Sequence, residues 1–467
     1  MPEALKRQEI SHLKDWLGQP GRKPLVIRGA RQVGKSTLVR ELSKSVDTPL
    51  VTANLERNPE LSAAFKPNDP RQILSMLELL TGRSIEPGKT LLFIDEIQAS
   101  PDALASLRYF HEELPNLRVV AAGSLMELAL TDTRFSMPVG RVEYMHLAPM
   151  TFEDFVEAVG DAKLARLLRE ISLADLDSAL PEPIHRKCLD LLAQYWVVGG
   201  LPEAVAHYVK SVADDASALS RVHRAQQSIV ATYRDDFAKY SHGRARDRTQ
   251  TVFDALPGMV GRKFKYAQVS REHRAAELAD ALSRLCMARV AHKVLHSASN
   301  GLPLAAEANL RFFKCLYLDV GLMCSALGLN LLDLGGTDMT LVNGGAVAEQ
   351  FVGQQLLFGG APYETPQLFY WARETPNASA EVDYVTVSGN VVVPIEVKAG
   401  SSGSLRSLHR FLKEKRRNFA LRFNTDRPSL LQDTKKLTDG TPVEYRLLSL
   451  PLYLAGQSRR LIAESLA

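Results

Sequence analysis

PLVIRGARQVGKSTLVREL, residues 24–42, opens as an apolar run, passes through Gly29-x-x-x-x-Gly34-Lys35-Ser36 and continues with apolar residues at helical spacing. A buried strand, a glycine-rich loop and a helix therefore follow one another, which is the setting in which this pattern is a phosphate-binding P-loop. The loop amides of Gly29, Ala30, Arg31, Gln32, Val33, Gly34, Lys35, Ser36 and Thr37 are candidates to curl around a phosphate chain, with the positive helix N-terminus behind them. Lys35 is placed to reach the β and γ phosphates, and the Ser36 hydroxyl to bind magnesium. A chance match to the bare pattern would lack the strand before it and the helix after it.

Working outward, TLLFIDEIQ, residues 90–98, reads as an apolar strand ending in Asp95-Glu96. An aspartate there suits the magnesium shell, and the adjacent glutamate suits polarisation of an attacking water, because phosphoryl transfer depends on positioning and charge stabilisation. LRVVAAGSLMEL, residues 117–128, adds a strand that ends at Ser124, a small polar residue placed to sense the γ-phosphate. Strand signals near 24–28, 50–53, 91–94, 118–122 and 143–147 alternate with helical patterns. They predict a parallel α/β sheet with its ligands at the carboxyl ends.

These residues resemble AAA-type ATPases. The resemblance implies ATP and Mg2+ as cofactors, Glu96 and Lys35 as catalytic groups, a P-loop strand set between neighbours, a helical lid, and an arginine finger acting in trans. Arg141, in VGR just before the fifth strand signal, is the first candidate for that finger and Arg134 the second. A solvated loop arginine is the alternative for both. A finger implies that neighbouring subunits complete each site, hence a homo-oligomer, in this family a ring.

At 467 residues the chain is too long for one ordinary core, and two to three domains follow from roughly 100–200 residues per domain. A net charge of +4 neither demands nor excludes nucleic acid, so local patches matter more than the total. Cys188, Cys286, Cys315 and Cys324 are scattered without metal-ligand spacing, which fits a reducing compartment. With no signal-peptide core and no apolar run of about 18 residues, a cytoplasmic protein without a membrane partner is expected.

From Thr151 to about Tyr240 the pattern is helical, broken at Gly199-Gly200. GGLPEAV (199–205), together with DEIQ (95–98) and YLDVGL (317–322), resembles a widespread group of bacterial and archaeal AAA-type ATPases whose C-terminal domain is of poorly known function, and the resemblance spans essentially the whole chain. YRDDFAKYSHGRARDR, residues 233–248, gathers Arg234, Lys239, Arg244, Arg246 and Arg248, either as a solvated face or as a phosphate-binding patch. Helical signals at 250–260 and 271–287 followed by two strand signals resemble a winged-helix module, a unit that binds DNA or joins proteins.

The last part begins with GGAVAEQFVGQQLLF (344–358), a helix carrying Glu349, then the strand LFYWARE (368–374), the hairpin AEVDYVTVSGNVVVPIEVKAG (380–400) and the basic helix SLRSLHRFLKEKRR (404–417). A two-residue turn at Gly389-Asn390 pairs Ser388 with Val391 and sets Asp383 opposite Glu396. Like charges so opposed destabilise a sheet by an amount on the order of 3 kcal/mol at an effective dielectric near 20, so something must neutralise them. The order of helix acid, strand aspartate and Glu-x-Lys resembles the PD-(D/E)XK nuclease superfamily. The resemblance implies Glu349, Asp383 and Glu396 as ligands of Mg2+ or Mn2+, and Lys398 as the group that orients water. The plainer alternative is a cross-strand ion pair of Glu381 with Lys398, with Glu396 bonded to Lys398 or Arg373. Arg406, Arg410, Lys413, Lys415, Arg416 and Arg417 either contact a phosphate backbone or form the polar face of their helix.

The expected organisation is thus an AAA-type P-loop core (1–150), a helical lid (151–240), a winged-helix-like module (241–330) and an α/β nuclease-like domain (331–467). Two functions are consistent with it. One is an ATP-hydrolysing motor that acts on DNA through its winged-helix-like and nuclease-like domains, the latter binding DNA with metal-dependent cleavage as a further activity open to it. The other is a nucleotide-switched regulatory or scaffolding ATPase whose nuclease-like domain is inactive and binds a protein partner.

Overall fold

Leu91, Leu92, Phe93 and Ile94 are all fully buried, the mark of a parallel strand covered on both faces. This strand, β3 (Leu91–Asp95), pairs in parallel with β2 (Leu50–Asn54) and β4 (Arg118–Gly123), and β1 (Leu25–Arg28) lies between β4 and β5 (Glu143–His146). The order β2-β3-β4-β1-β5 sets the P-loop strand between neighbours, as the sequence leads one to expect. All five strands fall on the runs identified above. The computed structural model describes residues 5–130, 135–211, 215–241, 243–329, 344–373, 379–400, 404–437 and 440–467. Arg134 and the side chain of Lys239 lie outside the described residues.

The chain divides into two compact units. The first holds the residues described up to Ala148, with Met287–Val290 and Ala361–Thr365. The amide of His146 donates to Pro362 at 2.7 Å and ties the last segment to β5. Everything else belongs to the second unit, so the divisions expected at 240 and 330 fall inside it.

That second unit is built on an eight-stranded sheet of order β12-β13-β11-β10-β9-β8-β6-β7. The strands are β6 (Ala291–Ser297), β7 (Ala308–Tyr317), β8 (Leu368–Arg373), β9 (Ala380–Ser388), β10 (Val391–Val397), β11 (Phe419–Asn424), β12 (Ser429–Lys436) and β13 (Pro442–Pro451). The pair expected as a winged-helix sheet is β6 and β7, and β6 pairs in parallel with β8, setting Val294 beside Leu368. Backbone hydrogen bonding thus merges the middle module into the C-terminal sheet instead of closing it as a separate unit.

The helices expected as a lid also fold with the second unit. Phe152 and Tyr195 pack edge-on against Phe351 of the helix Gly344–Phe358. Gly199 takes φ 77°, and a side chain there would collide with the Asp319 carboxylate. Within the C-terminal part, a helix is followed by antiparallel β8, β9 and β10, then by the helix Arg406–Lys415, and then by β11 parallel to β10. The hairpin register is the one that the two-residue turn requires, with Ser388 opposite Val391 and Pro394 opposite Val385. The β10–β11 ladder starts at Ile395, one residue past Pro394, so the missing proline amide costs neither ladder a bond.

Candidate functional site

At the carboxyl end of β1, Gly29 leaves no room for a side chain, because a Cβ there would collide with the Leu147 carbonyl. Gly34 (φ 95°) and Gln32 (φ 64°) hold the loop in left-handed conformations. The Lys35 ammonium is folded onto this loop, donating to the carbonyls of Gly29 at 2.9 Å and Ala30 at 2.7 Å. Burial pushes Lys35 down to about 8, against the attraction of Glu96, Asp95 and Glu127. Ser36 Oγ donates to Asp95 Oδ2 at 2.9 Å, so the hydroxyl and the carboxylate predicted to share a magnesium ion already meet. Burial also raises the Asp95 carboxyl.

Asn54, at the end of β2, donates to the same Asp95 oxygen at 3.1 Å. Glu96 takes φ 53°, an uncommon conformation for a residue with a side chain. Its carboxylate accepts from Gln98 Nε2 at 2.7 Å and from Ser124 Oγ at 3.4 Å. Arg141 lies away from these groups in the bonding pattern, its Nε donating to Glu112 at 2.7 Å on the exposed face of the helix Pro101–Glu113.

The C-terminal acids converge as well, but on an amino group. Lys314 of β7, with a side chain only 2% exposed, sets its Nζ 2.8 Å from Glu349 Oε1, 2.5 Å from Glu381 Oε1 and 3.8 Å from Asp383 Oδ1. The other Asp383 oxygen accepts the Val397 amide at 2.8 Å, and Lys398 donates to Glu396 Oε1 at 2.6 Å. Burial, with Asp383 nearby, pushes Glu396 up to about 7, and burial pushes Glu349 up to about 7 against the pull of Lys314. Of the alternative ion pairs, Glu396 takes Lys398 while Arg373 goes to Glu414, and Glu381 pairs with Lys314 in place of Lys398. Among the described residues, no group of three or more His, Cys, Asp or Glu is arranged to hold a metal ion. The ligand set Glu349, Asp383 and Glu396 does not fit Mg2+ or Mn2+ as it stands. The physical reason is that a buried ammonium already neutralises two of its members.

The basic helix is largely occupied by its own chain. Arg410 pairs with Glu414 at 2.6 Å, Lys413 donates to Thr441 and Lys415 to Asn300. In the 233–248 run, Arg234 pairs with Asp254 and Arg248 with Glu277, while Arg244 and Arg246 are exposed. A different stretch is more open. Arg262, Lys265, Arg271, Arg274 and Arg311 are exposed, Lys263 stands 4.1 Å over the half-exposed Phe312 ring, and Phe264 stacks on Phe313.

Residues 21–156 match the family described as an AAA domain. These residues form an AAA-type ATPase domain. Residues 189–333 and 344–437 match two families, each described as a domain of unknown function (DUF8612 and DUF4143). No curated protein matches the chain. Among solved structures, C. elegans PCH-2 is 12% identical over 47% of this chain and 67% of its own, with a TM-score of 0.29. The Thermotoga maritima RuvB Holliday junction branch migration motor is 14% identical over 62% and 88%, with a TM-score of 0.28, and a variant of it is 16% identical with a TM-score of 0.29. Likenesses this weak indicate nothing about function. No helix among the described residues is long and apolar enough to cross a membrane.

In the AAA domain, three strand ends thus bring Lys35, Ser36, Asp95, Glu96 and Ser124 to one edge of the sheet. Asn54 joins them without belonging to any motif, and Gln98 joins them from the end of DEIQ. Asn54 closes a strand at the same sheet edge as Asp95, beside which β2 runs, and that position is the signal the sequence offers for it. Lys314 escapes notice for another reason, since its neighbours FFKCLY read only as strand.

Proposed function

We propose that this chain hydrolyses ATP with Mg2+ at its AAA domain and uses that cycle to act on DNA through the second unit. The observation that carries the first half is the Ser36–Asp95 contact at 2.9 Å beside the buried Lys35. Ser36 and Asp95, steadied by Asn54, are the residues that would hold the ion. Bound there, Mg2+ neutralises charge on the phosphates. Lys35 exchanges two loop carbonyls for phosphate oxygens. Glu96 exchanges Gln98 and Ser124 for the attacking water and holds it for in-line approach. Arg141 is proposed as the finger offered to a neighbouring subunit in a homo-oligomeric ring, and the protein as cytoplasmic.

DNA is favoured as partner by the exposed cations within residues 262–274 and Arg311, with Lys263 set over the Phe312 ring, since cations suit phosphates and an exposed ring suits base faces. The second reading, a switched scaffold with a protein partner, is favoured by the internal engagement of the basic helix. ATP turnover and DNA affinity test the proposal together. Lys35→Ala should abolish turnover, and Arg262→Glu with Lys265→Glu should weaken DNA binding and flatten its salt dependence. Unchanged turnover in the first variant refutes the ATPase assignment. Salt-independent or absent DNA binding by the wild type leaves the scaffold reading standing.

A further inference from the structure

Lys314 gathers the helix acid Glu349 with Glu381 and Asp383 of the first hairpin strand. Its ammonium lies within 4 Å of Glu349 Oε1, Glu381 Oε1 and Asp383 Oδ1. The second oxygen of Glu349 faces the backbone of Gly261, where an added Cβ would stand 2.9 Å away. Glu349 is thus enclosed on both oxygens, and the Asp383 oxygen turned away from Lys314 is taken by the Val397 amide. Glu396 Oε2 is buried with no hydrogen-bond partner. Of the opposed hairpin acids, Asp383 is compensated by Lys314 and Glu396 by Lys398, both cations that belong to the chain.

We infer that Lys314 takes the place of a divalent metal ion, so that the cluster of Glu349, Glu381 and Asp383 excludes Mg2+ and Mn2+ and the nuclease-like domain engages its partner without cutting a phosphodiester. The inference rests on the nuclease-like reading only for the reaction it excludes. A fixed ammonium supplies one positive charge and three donors in one orientation. It has no vacant coordination position for a water or a phosphate oxygen, both of which metal-assisted hydrolysis requires. Removing the ammonium leaves the carboxylates of Glu349, Glu381 and Asp383 without their shared cation, a hard oxygen set of the kind divalent cations take. Lys314→Met is therefore expected to create the metal site that the native chain lacks.

The test is Mn2+ titration of the nucleotide-free full chain, followed by electron paramagnetic resonance of free Mn2+, with Asp95→Asn present throughout to silence the P-loop. With Lys314 intact, adding Asp383→Asn should change Mn2+ affinity less than threefold. With Lys314→Met, affinity should rise at least tenfold and be lost again on adding Asp383→Asn. The inference is overturned if Asp383→Asn weakens Mn2+ binding threefold or more while Lys314 is present. It is equally overturned if folded Lys314→Met gains no Mn2+ site, or if the wild type nicks plasmid DNA with Mn2+ in an Asp383-dependent way. Should Lys314→Met fail to fold, the comparison at native Lys314 decides alone. None of these readouts depends on ATP turnover or on the cations at 262–274, so this inference and the proposed function fail separately.

Discussion

Asp319 Oδ2 accepts the backbone amide of Gly200 at 2.7 Å, joining motifs 119 residues apart in the chain. The same fully buried carboxylate also accepts the amide of Leu322, so one side chain caps its own helix and pins the break between two others. Gly199 is required by this contact, whereas Gly200 is required by the Met150 carbonyl, with which a Cβ there would collide. Gly199 has φ 77° and ψ −172°, a region open essentially to glycine alone, and its hydrogen faces the Asp319 carboxylate. Gly199→Ala should therefore destabilise the protein by about 3 kcal/mol, combining backbone strain with overpacking. Gly328→Ala, at a similar φ of 66° but with nothing within 4 Å, should cost only the left-handed backbone strain of about 1–2 kcal/mol. Equal losses in denaturant unfolding would show that the carboxylate contact is not what fixes the glycine.

The AAA domain was legible because its signals are local. A strand, a glycine loop and a helix occupy consecutive residues, and the strand-end acids follow apolar runs that point to their own burial. The hairpin register was legible for the same reason, since Gly389-Asn390 sets it within a dozen residues. What the sequence hid is non-local. The pairing of β6 with β8, which absorbs the expected winged-helix strands, depends on residues more than seventy positions apart. Lys314 is invisible in its own apolar surroundings and acquires its meaning only where three distant acids surround it. The basic helix misleads in the opposite direction, because Glu414, Thr441 and Asn300 engage its charges internally.

Nucleotide affinity should depend on pH through Lys35. Burial pushes this ammonium down to about 8 in the free protein, and phosphate oxygens favour its charged form, so binding above that pH takes up a proton. The expected result is an ATP affinity that is level below about pH 7 and falls toward tenfold per pH unit above about pH 8, as linkage requires for one proton. Calorimetry in buffers of different ionisation heat should show the uptake directly. An affinity that stays flat from pH 7 to 9 would show that Lys35 keeps its proton throughout and that its burial does not govern nucleotide binding.

Arg141 sits in an exposed pair with Glu112, and such pairs contribute little to stability, so Arg141→Ala should leave unfolding almost unchanged. As a finger in trans it should instead lower turnover by about a thousandfold or more with ATP affinity retained. Mixing Arg141→Ala subunits with Lys35→Ala subunits then supplies intact loops and intact fingers on different chains. Recovered turnover in the mixture is the expected outcome. No recovery, or no loss in Arg141→Ala alone, would return this arginine to the solvated loop.

Glu396 is buried with one oxygen on Lys398 and the other without a hydrogen-bond partner. Burial and the nearby Asp383 push its carboxyl up to about 7, above the 4.5 of an unperturbed glutamate. Between those values the folded chain holds a proton that the unfolded chain has released, so this group's contribution to stability falls as pH rises from about 4.5 to about 7 and stays low above. Glutamine reproduces the neutral acid and still offers an oxygen to Lys398. Glu396→Gln should therefore leave Tm nearly unchanged at pH 4.5 and raise it at pH 8. The relief there is on the order of 3 kcal/mol, since a tenfold change in proton affinity is worth about 1.4 kcal/mol and the rise from 4.5 to about 7 already includes the pull of Lys398. If Glu396→Gln lowers Tm at pH 8, the ion pair with Lys398 outweighs the cost of burying the charge, and Glu396 belongs with the satisfied members of the cluster.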